Sequence, residues 1–255
     1  MIRVTRTRAW TTPRPKKRPW SAACGSTSRS AGALLTVLTD LYSADRRSHT
    51  VGSVTQSRIT AILTVAAFAA AMWIIEVLDF LANGAFDQTF GLRAWQTDAP
   101  WTVLTAPFMH AGFEHLMSNT VPFLVLGSLV ALGGLGRFMW TTLIVMVVSA
   151  VGVWLFSSPG TLTVGASGLV FGYFGYTVLR GIVERRTVDI VIMISVIIFY
   201  GTLIWGVLPQ QTGISWQAHL FGFIGGLLSA YVLPRTETPR PITRGPEYGS
   251  PGYYS

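Results

Sequence analysis

Charge is what this sequence has least of. Only 12% of its 255 residues are Asp, Glu, Lys or Arg, about half the usual share for a soluble domain. So little charge cannot coat a globular surface of this length, and lipid is the expected solvent. Cysteine is nearly missing too. The single Cys24 excludes an internal disulfide framework and any multi-cysteine metal site, and is expected to be an incidental thiol. No His-Glu-x-x-His occurs, which removes the zinc metalloprotease reading, and no metal or cofactor is expected. Four His and eleven acidic residues are few enough to be placed one by one.

Half of the residues are hydrophobic and the mean hydropathy is +0.47. The net charge of +8 would admit nucleic acid, but its distribution argues for lipid. Eleven of the nineteen Lys/Arg lie between Arg3 and Arg58, before the first long apolar run, where anionic headgroups would hold them. Residues 1–57 are rich in Arg, Ser, Thr and Pro, and are expected to be mostly disordered, with Ala31–Tyr42 a candidate interfacial helix. The same composition suits a transit peptide, or a start site further in near Val51 or Val54.

Six apolar segments follow: Ile59–Leu81, His115–Leu135, Phe138–Phe156, Ala166–Val183, Val188–Leu208 and Trp216–Leu233. Each is near the roughly 20 residues that cross a bilayer as a helix. The expected fold is therefore all-α, a polytopic bundle of six transmembrane helices over residues 58–234, followed by a disordered tail, 235–255. The stretch Ala82–Glu114 between the first two segments carries Trp95 and Trp101, aromatics suited to the membrane interface. Glu76 and Asp79, near the outer end of the first helix, are expected to reach water. If the N-terminus is cytoplasmic, eighteen of the nineteen basic residues, all but Arg93, fall on the cytoplasmic side. Both termini then lie in the cytoplasm.

An ionisable or strongly polar side chain inside a spanning helix is costly and requires a reason. His115 and Asn119, four residues apart, share one face at the start of the second segment. Ser167 opens the fourth within Gly165-Ala166-Ser167-Gly168, and His219 opens the sixth. With alternating topology all three starts lie at the outer face, so four polar groups converge at one depth. A hydroxyl becomes a nucleophile when an imidazole takes its proton. The oxyanion formed on attack needs donors already aimed at it, here the Asn119 amide, the His115 ring and the Ser167 backbone N–H. No acidic residue lies near His219, so a Ser–His dyad is implied. Gly168, Gly172 and Gly175 on one helix, with Gly222, Gly225 and Gly226 on another, would let two backbones approach closely enough for a Ser–His hydrogen bond. Each residue also has a plainer reading: Ser167 as a packing serine, His115 and Asn119 as caps of their helix.

These residues resemble the rhomboid intramembrane proteases. Gly165-Ala166-Ser167-Gly168 is similar to that family's nucleophile motif, Ala218-His219 with Gly222 and Gly226 to its base motif, and His110, His115 and Asn119 to its His-x4-His-x3-Asn pattern. The resemblance covers about residues 59–233. It implies a serine endopeptidase that cuts membrane-anchored proteins in or near their transmembrane segment, with Ser167 and His219 catalytic and His115 and Asn119 in the oxyanion hole. It also implies that His110 is structural, that Phe171 packs on the base where the family often has Tyr, and that the fifth helix is a candidate gate. Trp101-Thr102 stands where the family often has Trp-Arg, which leaves the anchoring of that loop open. A six-helix core resembles bacterial plasma-membrane members, while residues 1–57 keep a mitochondrial inner membrane as the alternative. The competing functions are a non-catalytic client-binding member of the same fold, and a small transporter, against which the lack of an internal repeat counts.

Overall fold

The computed structural model describes residues 55–209 and 213–233. The expectations for residues 1–54, for Gln210–Thr212 and for residues 234–255 lie outside them. The first helix, α1 (Thr55–Leu81), is built from Ala, Ile, Leu and aromatics, with no Gly or Pro from Ile59 onward. It stops at Asn83-Gly84, both with positive φ, where the Gly84 N–H closes on the Asp79 carbonyl at 3.0 Å. The outer stretch then forms a short α2 (Ala85–Phe90), a strand β1 (Leu92–Arg93) and α3 (Thr102–Thr105), which runs into a 3-10 turn at Ala106–Phe108. Five longer elements follow: α4 (Phe113–Ala131), α5 (Leu135–Phe156), α6 (Ser167–Glu184), α7 (Thr187–Tyr200) and α8 (Trp216–Val232). A second strand, β2 (Leu162–Thr163), lies between α5 and α6, and a 3-10 helix, Gly201–Val207, continues α7.

Three of these are long and apolar enough to cross a membrane: α1, α5, and α7 with its 3-10 extension. The sequence led us to expect six. The other three, α4, α6 and α8, are shorter and carry Ser, His, Asn and Gly, and α6 is the most deeply buried of them. In α6 every residue from Gly168 to Thr177 is buried. Its Tyr173 sits among Phe123 of α4 and Phe138 of α5, and its hydroxyl shares a 2.8 Å hydrogen bond with Thr142.

The glycine faces meet. A Cβ added at Gly222 would strike the Gly168 carbonyl, and one at Gly226 the Gly172 carbonyl; Gly175 faces the Phe223 carbonyl. Gly225 instead faces α5 at Val145. So α8 lies directly on the α6 backbone, with α5 against its other side.

Two expectations change. The segment Val188–Leu208 is not one α-helix, since α-helical geometry ends at Tyr200. Glu76 and Asp79 do not reach water: they are 3% and 5% exposed. Asp79 Oδ1 accepts the backbone N–H of Phe86 (2.7 Å) and of Asp87 (3.3 Å), so it satisfies the free N–H groups that open α2. That cap folds the outer stretch back over the end of α1.

Candidate active site

The site begins with how the outer stretch is pinned. β1 pairs antiparallel with β2, Leu92 opposite Thr163 and Arg93 opposite Leu162. Ala94 extends the ladder through its N–H to the Thr161 carbonyl and its carbonyl to the Gly160 N–H, both 3.0 Å. Trp95 Nε1 donates to the Ser157 carbonyl and Trp154 Nε1 to the Gln96 carbonyl, each at 3.0 Å, with the two rings 5.3 Å apart. Thr102 is buried and bonds to the Ala99 carbonyl at 2.7 Å. The loop is thus held by backbone pairing and a tryptophan pair. Because β2 leads straight to Ser167, this anchor also fixes the approach to α6.

Gly165 is the last flexible joint before Ser167. Its φ of 115° disfavours any side chain, and a Cβ there would stand 2.7 Å from His115 Cε1, so the His115 ring lies directly on this backbone. The Gly165 N–H donates to the Ala106 carbonyl at 3.0 Å, and the Ala166 N–H to His110 Nε2 at 3.3 Å. His110 is therefore neutral at Nε2 and acts as a clamp on the turn before Ser167. Burial, then the neighbouring His115, pushes its pKa down to about 4, which keeps that acceptor available. Ser167 opens α6, where backbone N–H groups have no partner within the helix.

His219 enters from the opposite helix. Its α8 is capped by Ser215, whose hydroxyl accepts the Ala218 N–H at 3.3 Å. The His219 ring lies flat on Phe171, centroids 4.1 Å apart and 7° from parallel, and its Nδ1 is 2.9 Å from the Gly206 carbonyl. A carbonyl only accepts, so Nδ1 carries the proton and Nε2 of the neutral ring is a free lone pair. Among the described residues no hydrogen bond joins Ser167 to His219. The two stand on either side of the tight α6–α8 crossing: a Cβ at Gly168 would lie 3.4 Å from the Ala218 carbonyl.

Ser167, His219, His115, Asn119 and Phe171 all line one cavity of about 970 Å³, roofed by Ser158, Thr161–Val164 and Gly213–Gln217. His110, Gly165 and Gly168 do not line it. His115 and Asn119 do not cap α4, which begins after Gly112. Asn119 Nδ2 donates to the His115 carbonyl at 3.0 Å, which leaves its second N–H for the cavity.

Comparison with known proteins gives the family. Residues 97–236 match the Rhomboid domain. The chain belongs to the rhomboid family. It is 40% identical over 182 residues to an uncharacterized protein of Mycobacterium tuberculosis, covering 68% of this chain and 75% of that one. An uncharacterized protein of Mycobacterium leprae is 38% identical over 183 residues, 69% of this chain and 72% of that one. Rhomboid protease GluP of Bacillus subtilis is 30% identical over 138 residues, 52% of this chain and 26% of that one. This rhomboid is a mostly helical membrane protein.

Four contributors to the site were not read from the sequence. Ser149 on α5 donates to the Ala218 carbonyl at 3.0 Å beneath the crossing, and gave no signal beyond being a serine in an apolar helix. Asp87 lines the cavity, Trp154 holds the loop after β1, and Gly206 meets His219 through its backbone. A backbone carbonyl leaves no trace in residue type.

Proposed function

We propose that this rhomboid is an intramembrane serine endopeptidase that cleaves membrane-anchored proteins in or near their transmembrane segment. Ser167 is the nucleophile and His219 the general base. The observation that carries this reading is the shared cavity: a hydroxyl at a helix start, an imidazole with a free Nε2 and two further polar side chains line one space. The Ser167 hydroxyl attacks the scissile carbonyl as His219 Nε2 takes its proton. The Ser167 backbone N–H, His115 and Asn119 face the oxyanion. His219 then returns the proton to the leaving amine, and water, activated in the same way, releases the acyl group.

In this reading α4, α6 and α8 also span the membrane, giving six spans. At 1.5 Å per residue the 17 residues of α8 reach about 26 Å, within the range of short spanning helices. Both termini are cytoplasmic, which follows from the basic residues. Mycobacterial relatives favour a bacterial plasma membrane over a mitochondrial one. The α7 surface, with Ile198 71% and Phe199 78% exposed, suits a helix against lipid that parts to admit a substrate.

The test is cleavage of a single-span substrate by detergent-solubilised protein, beside Ser167→Ala and His219→Ala. Both changes abolish cleavage, and a fluorophosphonate labels Ser167 only while His219 is intact; chelators have no effect. Cleavage that survives either substitution overturns the dyad. An intact protein that neither cuts nor labels is instead a client-binding rhomboid.

A further inference from the structure

The His219 ring has two supports, and one of them comes from a segment that holds no fully buried residue. Phe171 sets the plane of the ring from α6, a buried helix. The Gly206 carbonyl fixes the proton on Nδ1 from the 3-10 helix Gly201–Val207, in which none of the residues is buried. Upstream, α7 buries little of its length: Val196 enters the core, with Tyr200 and Leu203 packed against it, and the first turn is tied to α6. There the Asp189 carboxylate pairs with Arg180 Nε at 3.3 Å, and Gly181 admits Met193 and the Asp189 carbonyl. With no fully buried residue of its own, the 3-10 extension can seat or lift at small cost in buried surface.

We propose that the Gly206 carbonyl is the positioning group for His219, so that the base is set for proton transfer only while the Gly201–Val207 segment is seated against it. This rests on the Ser167–His219 reading above. Proton abstraction from Ser167 needs the lone pair at Nε2, hence the proton at Nδ1, and a neutral imidazole left alone divides the proton between its two nitrogens. A group that accepts from Nδ1 removes the unproductive tautomer and stabilises the imidazolium formed in the transition state. Elsewhere a carboxylate does this; among the described residues none is hydrogen-bonded to His219. Glycine at 206 is needed for the approach: a Cβ would stand 2.7 Å from Phe171 Cζ and 3.3 Å from His219 Nδ1. Any substrate that enters by displacing this segment must let it return before the bond is cut, which makes seating a checkpoint between binding and chemistry.

The carbonyl is tested by replacing single amides of the full chain with esters. Val207→α-hydroxyisovalerate makes the Gly206 carbonyl an ester, a weaker acceptor, while keeping every side chain. Leu208→α-hydroxyisocaproate deletes a neighbouring 3-10 hydrogen bond, Leu208 N–H to the Trp205 carbonyl at 3.2 Å, and leaves the Gly206 amide intact. The first variant lowers kcat about five- to tenfold with KM unchanged, and shifts the Nδ1 signal of His219 in protein labelled with nitrogen-enriched histidine. The second changes neither. Gly206→Ala, which displaces the ring, gives a larger loss of kcat and of fluorophosphonate labelling. Equal losses in both ester variants would show that only the integrity of the segment matters, and unchanged kcat in the first would show that the carbonyl does not position the base; either overturns the proposal. If Ser167→Ala and His219→Ala abolish cleavage while the ester is silent, this inference alone fails; if Ser167→Ala still cuts, the dyad itself fails.

Discussion

The imidazole of His219 rests on the ring of Phe171, 4.1 Å between centroids and 7° from parallel, with both side chains buried. A stacked pair of this kind is worth about 0.5–1.5 kcal/mol beyond the area it buries. Its use here is geometric: it denies His219 rotation about χ2. Phe171→Leu keeps the volume roughly and loses the plane, so kcat falls about three- to tenfold while KM and melting temperature change little. Phe171→Tyr keeps the plane and retains activity. Peptidase assays on the two variants decide this, and a Leu variant as active as the parent would refute an orienting role.

The α6–α8 crossing makes a second prediction. Gly226→Ala places a methyl against the Gly172 carbonyl and 2.8 Å from the Tyr176 nitrogen, so the helices must separate. Overpacking of this sort costs about 1–3 kcal/mol. Separation at this point also moves Ser167 from His219, so fluorophosphonate labelling declines together with thermal stability. Gly136→Ala on α5, where nothing lies within 4 Å of the added Cβ, leaves both unchanged or slightly raises stability. A Gly226→Ala protein as stable as the parent would show that the helices are not held by this contact.

What the sequence made legible, and what it did not, divides along physical lines. Ser167, His219, His115 and Asn119 stood out because polar side chains in apolar segments are costly, and the structure puts them on one cavity. The glycine faces were legible because only backbone approach rewards such spacing. The β1–β2 pair was not: two residues in each strand make no pattern, and their pairing spans a long separation in the chain. Asp79 was misjudged because an acid near a helix end can either reach water or cap the next helix, and only the turn at Asn83-Gly84 decides. Gly206 acts through a group that every residue has.

Asn119 separates catalysis from structure. One of its amide hydrogens is tied to the His115 carbonyl at 3.0 Å, and the other is left for the oxyanion of the proposed reaction. Asn119→Ala removes that donor without opening the core, since the cavity already adjoins the side chain. Loss of one oxyanion donor lowers kcat about 10²- to 10³-fold. KM and melting temperature stay close to the parent's. A loss confined to KM would place Asn119 in substrate binding instead.

Two buried groups outside the spans give opposite responses to pH. His110 is neutral with a pKa near 4 against an ordinary 6.5, so between these values the unfolded chain binds a proton that the folded one refuses. Its contribution to stability is complete above about pH 6.5 and is lost as pH falls toward 4. Asp87 behaves the other way. Burial, then the carboxylates of Asp79 and Glu76, push its pKa from 3.8 up to about 7, against the pull of the His110 backbone N–H. Between these values the folded chain keeps a proton that the unfolded one has released, so its contribution is present at low pH and lost as pH rises through 7. The slopes oppose each other from about pH 4 to 6.5, and the parent profile is flattened there. Asp87→Asn removes one slope, so the melting temperature of that variant climbs with pH across the window. His110→Asn removes the other, so its melting temperature declines across the same window, and it also loses part of the clamp on Ala166 N–H. Melting curves in detergent at half-unit pH steps read both, and parallel profiles for the parent and Asp87→Asn would show that Asp87 does not hold a proton in the folded protein.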